Sequence, residues 1–310
     1  MNDSEINVIY SSDDNYAQHM GVSIWSLVEQ NQDFKIINIY IIDNHISMNN
    51  KAKIEQIVTA FSGVKIVWIP FIKYEEKLKL DMPWSISISA YARLFIEQML
   101  PETMNRVIYL DCDTVICDSL HQLWQFNLNG KTVGVVQDTV GATAKEKLGI
   151  PNEDKYFNSG MLLIDLDAWR VKQVSKKCLE LIENYNGNVC HHDQGVLNGV
   201  FKEDKCFLPM RYNTITVHYF LNLYQIRKYY EEYAPFYSEE EIEEAKSAPA
   251  ILHFTPSFTS RPWIKGCQHP LRQKYWDVLK KTPWSEAKPQ KNTTKWYVRL
   301  LEWRYRVLPF

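Results

Sequence analysis

The sequence predicts an α/β fold built on a parallel, doubly wound sheet. Two observations indicate this fold. Short β-rich runs alternate with longer helical patterns through the first half of the chain, and one apolar run leads directly into carboxylates. Ligands of such sheets bind at the carboxyl ends of the strands. The acidic end of that apolar run is therefore a predicted binding site.

The first half of the chain supplies these elements in order. The predicted strands are Asn7–Ser11, Ile37–Ile42, Val64–Pro70 and the apolar run Arg106–Asp113. The predicted helical stretches lie near Tyr16–Gln30, Asn49–Phe61 and Ile88–Leu100. The last of these ends before Pro101, because a residue that precedes proline is disfavoured in the helical region.

The second half continues with fewer elements. They are a strand at Thr132–Gln137, the apolar segment Tyr156–Asp165, a helix that starts near Asp167 and an apolar strand at Ala250–Phe254. No repeat or low-complexity linker interrupts residues 1–280, which we therefore interpret as one catalytic domain. Residues 281–310 form a separate C-terminal segment.

Composition excludes several classes of protein. The 310 residues include 45% hydrophobic and 23% charged side chains, which excludes a disordered or fibrous chain. The net charge of −2 gives no overall attraction to nucleic acid. The N-terminus is polar and acidic, no run is long enough to span a bilayer, and the six cysteines include no Cys-x-x-Cys pair. We expect a cytoplasmic protein with reduced cysteines.

The C-terminal segment differs from the rest in composition. Residues 288–310 combine six lysines and arginines with interleaved tryptophan, tyrosine and phenylalanine, against one glutamate. This composition is typical of an interfacial membrane helix, which would place the protein on the inner face of the cell membrane. A terminal helix docked on the domain would show the same residues. The sequence leaves both interpretations open.

Asp111 and Asp113 are the first candidate ligands for a metal. In an extended segment, residues i and i+2 project to the same side, so both carboxylates can face one cation while Cys112 points away. Two oxygen donors of this kind suit Mg²⁺ or Mn²⁺. His253, in the strand at 250–254, is a candidate third ligand, and an added imidazole favours Mn²⁺. The neighbouring residues 190–193 (Cys-His-His-Asp) cannot all face one ion, and we reject them as a metal site.

The turn after the first strand carries a different set of groups. Residues 10–16 lack the glycine-rich motifs of dinucleotide folds and P-loops and offer instead carboxylates, an amide and the Tyr16 ring. These groups fit recognition of a base and ribose better than binding of phosphate, because anions favour N–H groups and positive charge. A carboxylate cap on the following helix is an equally attractive role for Asp13 or Asp14.

Six ordered motifs resemble the retaining sugar-nucleotide glycosyltransferases of family 8. The motifs are Ser11-Ser-Asp-Asp-Asn-Tyr16, Tyr91-Ala-Arg-Leu94, Tyr109-Leu-Asp-Cys-Asp-Thr-Val115, Tyr156-Phe-Asn-Ser-Gly-Met-Leu-Leu-Ile164, Asp193-Gln-Gly-Val-Leu-Asn198, and His253-Phe with Arg261-Pro-Trp263. The resemblance implies a Rossmann-like GT-A fold, Mn²⁺, with Mg²⁺ as the alternative, and transfer of a hexose from UDP-glucose or UDP-galactose with retention at the anomeric carbon.

The same resemblance assigns roles to individual residues. It implies a metal site at Asp111, Asp113 and His253, and it makes Asp193, Gln194 and Asp138 the catalytic candidates. The residues it implies for the nucleotide-sugar are Ser11, Ser12, Asp13, Asn15, Tyr16, Arg93, Asp111, Cys112, Asp113, Asn158, Ser159, Asp193, Gln194, Arg261 and Lys265. Among them, Tyr16 would stack on uracil, and Arg261 or Lys265 would add positive charge beside the diphosphate.

One motif departs from the family pattern. Arg261 stands where the family has lysine, and residues 255–262 contain two extra residues. A homologue that binds UDP-sugar or glycan with impaired catalysis is therefore one alternative. A Mg²⁺-dependent nucleotidyltransferase is another, because such an enzyme can also carry Asp-x-Asp at the end of a strand. The expected acceptor is a glycan, glycolipid or glycoprotein of the cell envelope. The sequence leaves the acceptor and the donor hexose open.

Overall fold

A computed structural model of the chain describes residues 4–81 and 87–293. The strands are β1 Glu5–Asp13, β2 Ile36–Asn44, β3 Val64–Pro70, β4 Arg106–Leu110, β5 Thr114–Ile116, β6 Val133–Gln137, β7 Phe157–Asp165, β8 Lys205–Phe207, β9 Thr214–Ile215 and β10 Ile251–His253. The helices are α1 Ala17–Gln30, α2 Met48–Thr59, α3 Ile72–Glu75, α4 Ile96–Met99, α5 His121–Trp124, α6 Ala142–Lys147, α7 Leu166–Val171, α8 Val174–Asn184, α9 His192–Val200, α10 Leu223–Tyr230, α11 Glu239–Ser247 and α12 Arg272–Leu279. Short 3₁₀ helices occupy Ile88–Phe95, Met210–Asn213 and Thr216–Tyr219.

Seven of the described strands form one mixed sheet in the order β3-β2-β1-β4-β7-β6-β8. The predicted parallel arrangement is confirmed for its first four strands, since β1 pairs parallel with β2 and β4, and β2 pairs parallel with β3. It is wrong for β7, which runs antiparallel to both β4 and β6. An apolar run buried on both faces has the same composition in either direction, so its pattern alone does not fix the pairing.

The sheet separates two hydrophobic layers. Along β4, Ile108 and Leu110 pack into the layer that contains α1, whereas Val107 and Tyr109 pack into the layer that contains α8 and α9. This alternation follows from the two-residue period of a strand, and every β4 side chain is buried. Burial of each large apolar side chain stabilises the fold by about 1.5–3 kcal/mol. The carboxyl end of β4 is therefore held between two packed layers.

Two predicted elements have different bounds in the structure. The helical pattern at 88–100 is a 3₁₀ helix followed by the single turn of α4. The run Arg106–Asp113 is extended only as far as Leu110, and Asp111–Asp113 form a turn that leads into β5. The prediction that strand alternation turns both carboxylates to one side is therefore wrong, because they lie in this turn and not in the strand.

A small second sheet brings His253 to this turn. Among the described residues its strand order is β5-β10-β9, and β10 runs antiparallel to β5 with His253 opposite Thr114. The strand predicted at 250–254 is thus confirmed but shorter, and it belongs to a different sheet from β4. Because Thr114 directly follows Asp113, this register places the imidazole beside the carboxylates.

None of the helices in the described ranges combines the length and apolarity needed to cross a bilayer. Before residue 294, the C-terminal segment packs on the domain: the Gln290 N–H donates to the Trp263 carbonyl at 2.7 Å. Trp284 is buried and closely approaches Gly21 of α1. Residues 294–310, which make up most of the proposed membrane-contacting segment, lie outside the described residues.

A buried ion pair joins α6 to the segment after α10. Lys145 Nζ lies 2.6 Å from Glu232 Oε1, and the two side chains are 1% and 0% exposed. Lys145 also donates to the Asn152 carbonyl, and Glu232 accepts the Ala234 N–H. Removing one partner of such a pair leaves an uncompensated charge in the protein interior.

We therefore expect Glu232→Ala to lower the free energy of unfolding by about 3–5 kcal/mol. The exposed pair Lys246–Glu243 provides the control, and Glu243→Ala should cost less than about 1 kcal/mol. Lys145→Met combined with Glu232→Leu should recover much of the loss, because no buried charge remains. Urea denaturation measures the free energy of unfolding of all three variants. Equal losses for the two alanine variants would show that burial of the Lys145–Glu232 pair has no effect on stability.

Candidate functional site

A cleft of about 440 Å³ lies at the carboxyl ends of β1 and β4. The residues lining it are Ser11, Ser12, Asp13, Asn15, Tyr16, Ser87, Ser89, Ala90, Arg93, Tyr109, Asp111, Cys112, Asp113 and Arg261. In a sheet with parallel central strands, this edge is where ligands bind. The cleft joins the β1 turn to the acidic turn after β4.

Asp111, Asp113 and His253 converge at one corner of this cleft. One ligand atom from each lies within 4.8 Å of the others. His253 Nε2 is 3.1 Å from Asp113 Oδ1 and 3.9 Å from Asp111 Oδ2. Two carboxylates and one imidazole form a donor set that fits Mn²⁺ or Mg²⁺. The structure thus brings together the three residues implied as metal ligands.

Asp111 is oriented by its neighbours. Its Oδ1 accepts hydrogen bonds from Arg93 Nη2 at 2.7 Å and from the Tyr109 hydroxyl at 3.0 Å. The Arg93 guanidinium also lies over the Tyr109 ring, 4.2 Å from its centroid. These contacts occupy Oδ1 and leave Oδ2 on the side of His253.

Asp113 and His253 are both buried, and charge pairing offsets the effect of burial on them. Burial by itself would raise the pKa of Asp113, but the Arg261 guanidinium, 2.8 Å away, and His253 outweigh it and hold that pKa well below its usual range. Burial would also lower the pKa of His253, yet the Asp113 carboxylate reverses the direction and raises it. Asp113 is therefore ionised at neutral pH and able to bind a cation.

Gly160 allows the metal corner to close. A Cβ atom at this position would lie 2.2 Å from His253 Cε1 and 2.8 Å from Asp111 Oδ2. The Gly160 carbonyl also accepts the Asp111 N–H at 2.8 Å. Only a residue without a side chain permits this approach of β7 to the two ligands.

We expect Gly160→Ala to weaken Mn²⁺ binding at least tenfold, because the added methyl group displaces His253 or Asp111 from the site. Gly141→Ala is the matched control, since its Cβ would meet its nearest neighbour at an ordinary 3.4 Å. Isothermal titration calorimetry with Mn²⁺ measures the effect, and circular dichroism checks that each variant is folded. Unchanged affinity in folded Gly160→Ala would show that the close contact does not control the site.

A second polar cluster adjoins the metal corner. Asp138 Oδ2 accepts hydrogen bonds from Asn158 Nδ2 at 3.0 Å and from Gln194 Nε2 at 2.9 Å. Gln194 Oε1 accepts the Ser159 N–H at 3.0 Å, so both ends of its amide are engaged. Burial raises the pKa of the Asp193 carboxyl, and Arg93 only partly offsets this. The Ser159 hydroxyl lies 3.4 Å from Asp193 Oδ2, so the catalytic candidates Asp138, Asp193 and Gln194 lie together with Asn158 and Ser159.

Arg93 connects the two clusters. Its Nη2 binds Asp111, its Nη1 donates to the Ser159 carbonyl at 2.6 Å, and its Nε lies 3.2 Å from Asp193 Oδ2. The residue is buried, so its charge is matched by carboxylates rather than by water. One side chain thus fixes the distance between the metal corner and the polar cluster.

Asp13 organises the β1 turn, which also lines the cleft. Its Oδ1 accepts the N–H groups of Asn15 and Tyr16, and its Oδ2 accepts the Ser87 hydroxyl at 2.8 Å. The N-cap residue of α1 is Tyr16, so the prediction that Asp13 or Asp14 is the capping residue is wrong. Asp13 instead binds the two N–H groups that immediately precede the helix.

An aromatic layer supports Tyr16. The Trp263 ring meets Tyr16 edge to face and stacks on His19, with ring centroids 6.2 Å and 3.6 Å away. His19 Nδ1 lies 2.8 Å from the Tyr275 hydroxyl, which also accepts a hydrogen bond from Gln18. The Tyr275 proton is therefore available to a neutral His19. Burial lowers the pKa of His19 to about 3, consistent with that neutral form.

Protonation of His19 on unfolding should make stability depend on pH. The folded pKa of about 3 lies below the usual value of 6.5, so the unfolded chain binds the proton first and acid destabilises the fold within this window. Between pH 6.5 and pH 5 we expect a loss of about 1.6 kcal/mol from this residue. Urea denaturation of the unmodified protein and of His19→Gln at both pH values measures it. Equal losses in the two proteins would disprove the assignment to His19.

Not every implied residue lies at the cleft. Cys112 lines it, and its thiol donates to the Ser11 carbonyl. Among the described residues, Asn158, Ser159, Asp193 and Gln194 do not line the cleft but form the adjoining polar cluster. Lys265 is exposed and lies in neither group, so its role stays a prediction. Three residues of the site, Tyr109, Gly160 and Ser87, and the buried Asn213, whose Oδ1 lies 3.0 Å from His253 Nδ1, were not predicted from the sequence. Tyr109 and Gly160 stand inside recognised motifs and could have been found there, whereas no local pattern marks Ser87 or Asn213.

Comparisons with known proteins agree with this geometry. Residues 7–267 match the family model described as "Glycosyl transferase family 8". The chain is 26% identical over 287 residues to general stress protein A of Bacillus subtilis, covering 91% of this chain and 96% of that protein. It is 29% identical over 294 residues to lipopolysaccharide 1,2-glucosyltransferase of Escherichia coli K12, covering 94% and 82%.

A solved structure gives the same result for the fold. The crystal structure of galactosyltransferase LgtC with donor and acceptor sugar analogues is similar to this chain with a TM-score of 0.72 and 24% identity. The match covers 90% of this chain and 96% of that one. This similarity confirms the GT-A fold that the sequence motifs implied.

Proposed function

This chain belongs to glycosyltransferase family 8, and we propose that it transfers a hexose, glucose or galactose, from a UDP-sugar to an acceptor hydroxyl with retention at the anomeric carbon. The observation that carries the proposal is the convergence of Asp111, Asp113 and His253 at one corner of a nucleotide-sized cleft. A nucleotide diphosphate needs a cation at that position, and this donor set suits Mn²⁺, with Mg²⁺ as the alternative.

The charges around the cleft support a diphosphate at the metal corner. When bound, Mn²⁺ supplies Lewis-acid stabilisation of the negative charge on the departing UDP. Arg261 adds a guanidinium that already lines the cleft and pairs with Asp113. A guanidinium can bind phosphate in bidentate fashion, so Arg261 can serve where the family has lysine. In this proposal the altered loop at 255–262 belongs to an active enzyme and not to a homologue that has lost catalysis.

The groups of the β1 turn suit the uridine. Tyr16 presents a half-buried ring for stacking on the base, while Asp13 and Asn15 offer polar groups for the ribose. Ser11, Ser12 and Cys112 line the same cleft. In this pose the sugar extends toward Asn158, Ser159, Asp193 and Gln194.

Retention is best served by front-face substitution. A double displacement requires a carboxylate nucleophile on the far face of the sugar. The Gln194 amide is a poor nucleophile, and both of its ends are hydrogen-bonded to protein groups. We infer that Asp193 and Gln194 orient the sugar, and that the acceptor hydroxyl attacks from the side of the leaving group and passes its proton to a diphosphate oxygen. A glycosyl adduct trapped on Asp193 would refute this pathway.

We propose an acceptor on a cell-envelope glycan, glycolipid or glycoprotein, reached past Asp138. The E. coli relative's name, lipopolysaccharide 1,2-glucosyltransferase, supports an envelope acceptor. We also propose that residues 1–280 are the catalytic domain and that residues 281–310 hold the enzyme at the inner face of the membrane, where such acceptors are assembled. The basic and aromatic composition of residues 288–310 supports this location.

The proposed function predicts UDP release from UDP-glucose or UDP-galactose that requires added Mn²⁺. Asp111→Ala should lower the rate about 100-fold or more, because the stabilisation lost with the cation amounts to several kcal/mol. Asp277→Ala, in the exposed part of α12, serves as the control. A coupled assay for UDP, run over a panel of UDP-sugars, measures the rates.

The same assay separates the alternatives. Turnover of nucleoside triphosphates with Mg²⁺, without UDP-sugar hydrolysis, would identify a nucleotidyltransferase. Binding of UDP-sugar without metal-dependent UDP release would identify a homologue that has lost catalysis. Either result would contradict the proposed transfer reaction.

A further inference from the structure

Asn213 lies between the metal corner and the polar cluster. It ends the 3₁₀ helix Met210–Asn213 and is 1% exposed. Its Oδ1 is 3.0 Å from His253 Nδ1, and its Nδ2 is 2.9 Å from Asn158 Oδ1. Neither the motifs nor the family comparison assigns this residue a role. Its amide bridges one candidate metal ligand and one candidate sugar-binding residue.

Backbone groups fix the orientation of this amide. The Gly160 N–H donates to Asn158 Oδ1 at 3.0 Å, so the atom of Asn158 at that position is the oxygen. This amide oxygen can only accept hydrogen bonds, so the Asn213 atom that faces it must be the donor, Nδ2. Its Oδ1 then faces His253 Nδ1, which must carry a proton to make this hydrogen bond.

We propose that Asn213 is a positioning residue that keeps the proton of His253 on Nδ1 and thereby presents the Nε2 lone pair to the cation. This inference rests on the proposed function, because it takes the cation to bind at Asp111, Asp113 and His253. Hydrogen bonds from the second nitrogen of a ligating histidine commonly set its tautomer and ring orientation.

The same contacts couple the metal ligand to the sugar pocket. Asn158 binds Asn213 through its Oδ1 and Asp138 through its Nδ2, and Asp138 in turn accepts from Gln194. Asn158, Asn213 and His253 are all buried, so water cannot readily replace a lost partner. A change at Asn213 therefore acts on both His253 and Asn158.

Two substitutions separate these effects. Asn213→Ala removes the acceptor for His253, and we expect Mn²⁺ affinity to fall about 10–100-fold, with turnover recovering at high Mn²⁺. Asn213→Asp keeps an oxygen toward His253 but loses the N–H donated to Asn158. It should retain Mn²⁺ affinity near that of the unmodified protein while raising KM for the UDP-sugar.

Isothermal titration with Mn²⁺ alone measures the affinity, and UDP release at increasing Mn²⁺ measures the recovery. Asn31→Ala is the matched control, because Asn31 is fully buried and hydrogen-bonded to Leu27 and Leu120. We expect it to lower the melting temperature without weakening Mn²⁺ binding.

Three results would count against the proposal. Unweakened Mn²⁺ binding by Asn213→Ala would overturn the role of Asn213 alone, and so would equal weakening by Asn31→Ala. Absence of Mn²⁺ binding by the unmodified protein would instead overturn the metal site of the proposed function, and the role of Asn213 with it. The titration of the unmodified protein thus distinguishes the two failures.

Discussion

The pairing of Asp111 and Asp113 with two arginines is the interaction on which the rest of the site depends. Two carboxylates separated by one residue repel each other, and ionised groups are costly to bury without partners. Arg93 binds Asp111, and Arg261 binds Asp113, so each carboxylate is paired with a guanidinium of its own. The turn after β4 can therefore present negative charge to a cation from within a packed structure.

Each of these arginines also connects the turn to a distant part of the chain. Arg93 contacts Ser159 of β7 and Asp193 of α9, and so joins the metal corner to the polar cluster proposed to bind the sugar. Arg261 precedes Trp263, which packs against His19 and against Tyr16, the ring proposed to stack on the base. The same charge pairing thus sets the spacing between the regions proposed to bind sugar, metal and nucleotide.

Much of the fold and most of the site residues could be predicted from the sequence. The parallel strands β1 to β4 and the helices α1 and α2 follow from local hydrophobic periodicity. The antiparallel direction of β7 cannot be predicted in this way, because an apolar run buried on both faces has the same hydrophobic pattern in a parallel or an antiparallel strand. Asp111 and Asp113 were found through their position after a strand, but the extended geometry assumed for them is wrong, since they lie in a turn.

The order of residues along the chain specifies which chemical groups are available: two carboxylates after an apolar strand, a histidine in a late strand and the ordered motifs of the family. The tertiary structure alone decided how these groups meet. His253 reaches Asp113 through the register of β10 on β5, across 140 residues of chain, and Asn213 enters through a hydrogen bond that no local pattern marks. Contacts between distant segments depend on packing and strand pairing, so they cannot be predicted from local hydrophobic periodicity.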